Sequence, residues 1–276
     1  MLIDGQPRDS IDACDRGLHY GDGLFETVAV KQGRPLLWPG HMARLRQGCS
    51  RLGMAGPDPD VLERDALAEI AGRDQGVLKI ILTRGCGGRG YRPPKASRES
   101  RILSFHSRPD YPLNNWTLGV KVRNCRTRLG MNPDLAGLKH LNRLEQVLAR
   151  SEWDDATVAE GLMWNLAGNL VEGTMSNCFL VMGEELLTPS LDQCGVAGVM
   201  RQTVLDSARD LGIACKVTDI PATWLARSDA LFLTNSLIGI WPVRQLDQRA
   251  YSTAAIPAAL LERITPLALI PTLGHA

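Results

Sequence analysis

The sequence carries almost no surplus charge. Among 276 residues, Lys and Arg number 31 and Asp and Glu 30, for a formal net charge of +1. That balance supplies no global field to gather nucleic acid or an anionic membrane, so neither is expected as a partner. No apolar run approaches the length that spans a bilayer. Met1-Leu2-Ile3-Asp4-Gly5 lacks the basic start and apolar run of a signal peptide. There is no C-x-x-C pair, and the seven cysteines keep no regular spacing. A disulfide framework and a structural zinc are therefore disfavoured, and reduced thiols in a cytoplasmic protein are expected. No H-E-x-x-H, carboxylate ladder or Cys/His cluster marks a metal site, and none is expected. No G-x-S-x-G is present, and no Ser-His-Asp triad can be assembled from spacing. Repeats and low-complexity tracts are also missing. What is there is 44% hydrophobic and 22% charged, enough chain for one large or two medium domains.

Alternation and turn signals set the order of elements. Residues 1–37 read as strands, with Gly23 to Val30 a β-prone run between the turns Asp4-Gly5 and Lys31 to Pro35. Met42, Leu45, Cys49 and Leu52 keep helical spacing over 38–54, and Gly53 ends that helix. A second helix is expected from Pro59 to Ala71. Gly76 to Arg84 reads as a buried strand, and Arg101 to His106 returns as another. Two prolines and two asparagines break all periodicity over 109–116, the expected linker between domains at 1–108 and 117–276. In the second domain, 156–188 read as antiparallel strands with short turns. A helix then follows the glycine loop 195–198, and Ala230 to Ser236 reads as a buried strand. Pro271 to Ala276 reads as a frayed tail.

Gly85-Cys86-Gly87-Gly88-Arg89-Gly90 is literally a G-x-G-x-x-G after a strand. A dinucleotide fingerprint must open a helix. Here Tyr91-Arg92-Pro93-Pro94 follows, and Pro94 keeps Pro93 out of helical geometry. The run is read instead as a flexible loop with Arg89 and Tyr91 at its tip.

One stretch, Asn132 to Leu148, organises the rest. Lys139 stands among small and apolar residues just ahead of a helix. Asn142 to Glu145 have capping-box spacing, and Leu144, Val147 and Leu148 are expected to give that helix a buried side. Burial pushes an amine's pKa down, and a neutral amine is what a Schiff-base lysine requires. On spacing alone a surface lysine in a turn is the commoner outcome. Arg44 adjoins the apolar stripe of its helix but, unaided, reads as solvated. Glu172, flanked by apolar residues and glycine, needs a partner if it is buried and is otherwise a turn residue. Thr27 points either inward or outward from a tight strand entry.

The segment Asn132-Pro133-x-Leu135-Ala136-Gly137-x-Lys139-His140-Leu141-Asn142-Arg143-Leu144-Glu145 resembles the lysine segment of 4-amino-4-deoxychorismate lyases. Tyr20-Gly21-Asp22-Gly23-Leu24-Phe25-Glu26, His41-x-x-Arg44-Leu45, Arg84 to Tyr91 and Glu172-Gly173-x-x-Ser176-Asn177-x-Phe179 resemble further motifs of that group, in the same order. The resemblance implies a mixed α/β (α+β) chain of two domains: pyridoxal-phosphate fold type IV, D-amino-acid aminotransferase-like, with the cofactor at the domain interface and a homodimeric assembly. It implies that Lys139 carries pyridoxal 5'-phosphate and that Glu172 faces its ring nitrogen. Arg44, the amides of Val199 and Met200, and Asn235 and Ser236 then attend its phosphate. Thr27 points toward the reacting centre. Arg89, with Arg84 as rival and Tyr91 beside it, takes a substrate carboxylate. The implied reaction turns the small molecule 4-amino-4-deoxychorismate into 4-aminobenzoate and pyruvate, a step toward folate. The same lysine, arginine and glutamate serve branched-chain and D-amino-acid aminotransferases, which stand as the alternative. A non-catalytic cofactor-binding or scaffold protein is a third, and predicts a lost site residue that the sequence does not show.

Overall fold

Alternation along Gly23–Lys31 decides the first unit. Leu24, Val28 and Val30 are buried, in one apolar cluster with Met42, Leu45 and Cys49 from one helix and Leu62, Ala66 and Ile70 from another. The structure, a computed structural model, describes residues 1–95 and 97–271. The expected frayed tail lies outside the described residues beyond Pro271. The chain divides into two compact units, Met1–Pro109 with Leu138–Arg143, and Asp110–Gly137 with Leu144–Ala276. Leu138–Arg143, which contain Lys139 and were read from sequence as part of the second domain, thus fall in the first unit, while the residues on either side of them stay in the second.

In the first unit the strands are β1 (Leu2–Ile3), β2 (Gln6–Pro7), β3 (Gly23–Lys31), β4 (Arg34–Pro35), β5 (Gln75–Thr83) and β6 (Ser100–His106). They form one sheet, in the order β2-β1-β6-β5-β3-β4. The central pairs are antiparallel, Gly23 facing Thr83 and Val77 facing His106. The helices are α1 (Arg16–Tyr20), α2 (Trp38–Arg51) and α3 (Pro59–Ile70). Asp58 caps α3 by accepting from the N–H groups of Asp60 and Val61, with Pro59 in the first turn. Among the described residues between β5 and β6 no helix opens, in line with rejecting a dinucleotide fingerprint.

The second unit holds α4 (Asn114–Thr117), β7 (Val120–Leu129), α5 (Leu144–Arg150), β8 (Val158–Asn165), β9 (Asn169–Gly173), β10 (Asn177–Met182), β11 (Glu185–Pro189) and α6 (Val199–Asp210). It continues with β12 (Ala214–Thr218), β13 (Ile220–Pro221), α7 (Ala222–Leu225), β14 (Ala230–Asn235), β15 (Gly239–Leu246), β16 (Arg249–Ala250) and α8 (Ala258–Ile264). Its ten strands make a mixed sheet, ordered β12-β11-β10-β14-β15-β7-β8-β9-β13 with β16 on β15. Phe179 and Phe232 stack across β10 and β14 at 4.9 Å. Trp241 is buried, with Tyr111 and Trp116 edge-on at 4.8 and 5.7 Å. Among the described residues no helix is long and apolar enough to cross a membrane.

Helix α5 departs from its sequence reading. It starts at Leu144, so Asn142 lies outside the cap position, and its amide donates to Gly21 O instead. Leu144, Val147 and Leu148, expected inside, are 76%, 60% and 59% exposed. The inward positions belong to Ala149, which is buried, and Gln146, whose amide donates to Glu172. Glu145 accepts from Gly130 N–H. Polar partners fixed the helix's rotation, and its apolar stripe was left outside.

The cysteines bring a second correction. Cys14 and Cys86 form a disulfide across 72 residues, where reduced thiols were expected. The backbone bridge between Asp15 and Cys86 brings them together, a long-range pairing that residue spacing does not reveal.

Candidate active site

In the first unit, the lysine run completes an open strand edge. Phe25 N–H donates to Lys139 O and Leu141 N–H to Gly23 O, both at 3.0 Å. Gly23 is needed for that approach, because a Cβ there would lie 2.3 Å from Leu82 O and 2.9 Å from Leu141. Lys139 is half-buried, and its Nζ stands 4.2 Å from the centroid of the Phe25 ring. Thr27, two residues along β3, shares Phe25's face of the strand.

Glu26 points the other way, toward α2, and is 1% exposed. Arg44 Nε donates to one carboxylate oxygen at 2.9 Å, its terminal nitrogen donates to the other, and His41 Nδ1 lies 2.7 Å away. Spacing of three on α2 puts His41 and Arg44 on one face. Burial alone would push the Glu26 carboxyl up, but the Arg44 charge and the hydrogen bonds from His41 and Arg44 outweigh it, holding the pKa at about 2. Burial lowers His41 against the pull of Glu26. Arg44 is therefore drawn inward and is not the solvated residue that spacing alone gives.

This pair implies an acid-labile contact. A carboxyl whose pKa is lower in the folded chain stabilises it fully above the unfolded value and loses that contribution as pH falls through the folded one. For Glu26 the window runs from 4.5 down to about 2. The stabilisation at stake is on the order of 3 kcal/mol. Glu26→Gln should lower stability at neutral pH and flatten the acid limb across that window, as read by urea unfolding at stepped pH. A limb as steep as the parent's would refute the pairing.

The Arg84–Tyr91 run is anchored where sequence reading made it flexible. Arg84 is 5% exposed; it donates from Nε to Asp22 at 2.8 Å and from its terminal nitrogens to Gly53 O and Leu52 O. Arg16, a residue no motif singled out, donates from Nε to Asp22 and from its fork to Gly90 O and Tyr91 O, each at 2.9 Å. Tyr91 meets Tyr20 edge-on at 5.4 Å. Arg89 lies exposed between these anchors.

In the second unit, Glu172 is 4% exposed on β9. Its Oε2 accepts Val196 N–H at 2.8 Å, and its Oε1 faces Gln146 Nε2 at 3.4 Å. The turn after it is held by Glu160, also missed from sequence. This buried carboxylate accepts the N–H groups of Thr174 and Met175 and the Ser176 hydroxyl, and burial pushes its pKa up. Gly137 N–H donates to Gly195 O, and Ala197 N–H to Gly137 O. Helix α6 opens with Val199 and Met200, both buried, behind Gly198, which gives no side-chain cap. The first N–H groups of a helix lack intrahelical acceptors and favour an anion. Arg201 ties this first turn to β11 through Thr188 Oγ1 and Pro189 O. Asn235 Oδ1 accepts from Leu237 and Ile238, and its Nδ2 donates to Met175 O, so Asn235 builds the turn in which Ser236 sits.

The described residues thus offer a lysine, an inward arginine, a buried carboxylate and an uncapped helix start. The chain belongs to the amino-transferase class IV family, whose model matches residues 23–246. It is 37% identical over 241 residues to an aminodeoxychorismate lyase of Vibrio harveyi, covering 87% of this chain and 89% of that protein. A crystal structure of 4-amino-4-deoxychorismate lyase from Pseudomonas aeruginosa is 47% identical, with a TM-score of 0.90 over 96% of each chain. A probable branched-chain-amino-acid aminotransferase of Thermotoga maritima is 34% identical over 254 residues, 89% of this chain and 86% of that one.

Proposed function

We propose that the protein is a pyridoxal-phosphate-dependent lyase that converts 4-amino-4-deoxychorismate to 4-aminobenzoate and pyruvate. The observation that carries this reading is the likeness to aminodeoxychorismate lyases, at 37% and 47% identity along nearly the whole chain. The aminotransferase considered above is more distant than either. The donor set fits the cofactor. Lys139 would hold it covalently, Arg44 and the Val199 and Met200 amides would take its phosphate, and Glu172 would face its ring nitrogen. Asn235 is better suited to shaping the Ser236 turn, because three of its hydrogen bonds already go to backbone.

When bound, pyridoxal phosphate supplies a sink for the electrons left at the amine-bearing carbon. Lys139 Nζ takes the proton from that carbon. Thr27 Oγ1 relays a proton to the departing enolpyruvyl oxygen. Arg89, exposed and held by its neighbours in place, pairs with a substrate carboxylate through its planar fork. Arg84, already donating to Asp22 and two carbonyls, serves the loop rather than the substrate. Loss of enolpyruvate leaves an aromatic ring, which makes that exit downhill.

Product analysis tests the reading. With 4-amino-4-deoxychorismate and no added keto acid, 4-aminobenzoate and pyruvate should appear in equal amounts through many turnovers. Turnover that needs 2-oxoglutarate and yields no aromatic amine would make the protein a transaminase. A cytoplasmic location and a homodimer complete the proposal. The exposed Leu144, Val147 and Leu148 stripe supports the dimer, being an apolar face that association would cover. Cell fractionation tests the location, and light scattering at a single chain's mass would count against the dimer.

A further inference from the structure

The seven cysteines fall into two groups. Cys49, Cys125, Cys178 and Cys194 are buried and Cys215 is half-buried. Burial raises all five, Cys49, Cys194 and Cys215 to about 11 and Cys125 to about 12, which keeps them protonated and inert. Cys14 and Cys86 differ in being exposed and joined. An open groove lined by Asp4, Arg8, Arg98 and Ser100 runs beside Cys86. It admits a reagent to the Cys86 side of the disulfide. Cys86 stands three residues before Arg89, and Cys14 two residues before Arg16, whose fork holds Gly90 O and Tyr91 O. The disulfide therefore joins the two segments that fix the loop's tip.

We infer that Cys14 and Cys86 form a reversible thiol–disulfide site, served by a dithiol, whose oxidised state fastens the Arg89 loop. A thiolate of the dithiol attacks one sulfur, the Cys14–Cys86 bond breaks and a mixed disulfide forms. The reagent's second thiol then displaces the remaining cysteine. Two electrons and two protons end on the Cys14 and Cys86 thiols, and the dithiol departs as a disulfide. Reduction loosens the loop without releasing it, because the Arg16 hydrogen bonds remain. The effect on catalysis rests on the lyase reading, since only there does Arg89 meet a substrate carboxylate; the tether does not.

The test uses the holoenzyme with and without dithiothreitol. Native alkylation followed by peptide mapping should label Cys14 and Cys86 only after reduction. Trypsin should then cut faster after Arg89, which Gly90 follows. The KM for 4-amino-4-deoxychorismate should rise roughly threefold to tenfold with kcat little changed, the scale of one weakened hydrogen bond. Cys14→Ser and Cys86→Ser should each behave as the reduced form and ignore dithiothreitol. Free Cys14 and Cys86 in protein purified without reductant, or loop cleavage indifferent to reduction, overturns the site. Cleavage that responds while KM does not overturns the coupling to substrate. No turnover in either state counts against the lyase reading, and the cleavage rates still judge the tether.

Discussion

Lys139→Ala is expected to abolish turnover of 4-amino-4-deoxychorismate while leaving a cooperatively folding protein. Two proposed tasks converge on one nitrogen, holding the cofactor and taking the substrate's proton. The expected loss in kcat is between about 10⁴ and 10⁶, from general acid–base effects at the low end to removal of a covalent catalytic group at the high end. Folding should survive, because the backbone at this position does the structural work: Lys139 O accepts from Phe25 N–H whatever the side chain. Borohydride treatment of the parent holoenzyme should leave the cofactor on the Lys139 peptide, seen by mass spectrometry. Label on Lys79 or Lys121 instead, or an alanine variant within tenfold of the parent, would remove Lys139 from its role.

Glu172→Gln is expected to keep the fold and the bound cofactor yet lose about 10² to 10³ in kcat, the range for removing one preorganised electrostatic partner. The amide is nearly the same size and its oxygen can still accept Val196 N–H, which the carboxylate holds at 2.8 Å. What it lacks is the charge proposed to keep a ring nitrogen protonated. Glu172→Asp should recover part of the rate. Glu172→Ala should also lose stability, since Val196 N–H is left without that acceptor. Absorbance of the bound cofactor and steady-state kinetics on the three variants separate these effects. A glutamine variant with full activity would reduce Glu172 to a structural buried acid.

Much of this was legible from residues alone, for definable reasons. Strand β3 and helix α2 follow from alternation and helical spacing, because each buries one face against one core. Lys139 and Glu172 stood out as polar residues in apolar or glycine-rich runs, and the family motifs gave them roles. Arg16 and Glu160 were not legible. Their partners are mostly backbone groups, those of Arg16 more than 70 residues away, and a carbonyl or N–H carries no sequence signature. Helix α5 was misread for a related reason: an apolar stripe shows which residues share a face but not which way that face turns. The choice between Arg84 and Arg89 depended on Asp22, which claims Arg84 from 62 residues away.

The division of the chain has a consequence for its synthesis. Gly23 and Phe25 present their open edge as soon as the first hundred residues emerge, but Lys139 and Leu141, which close it, follow only after the first strand of the second unit. A nascent chain halted near Pro109 therefore carries an unpaired strand edge, the feature most prone to pairing with a neighbour. The segment that closes this edge also bears Lys139, the amine proposed to hold the cofactor. Quenching the sticky edge and mounting that proposed nucleophile are thus one folding event, and a chain that fails at the first has no means of achieving the second.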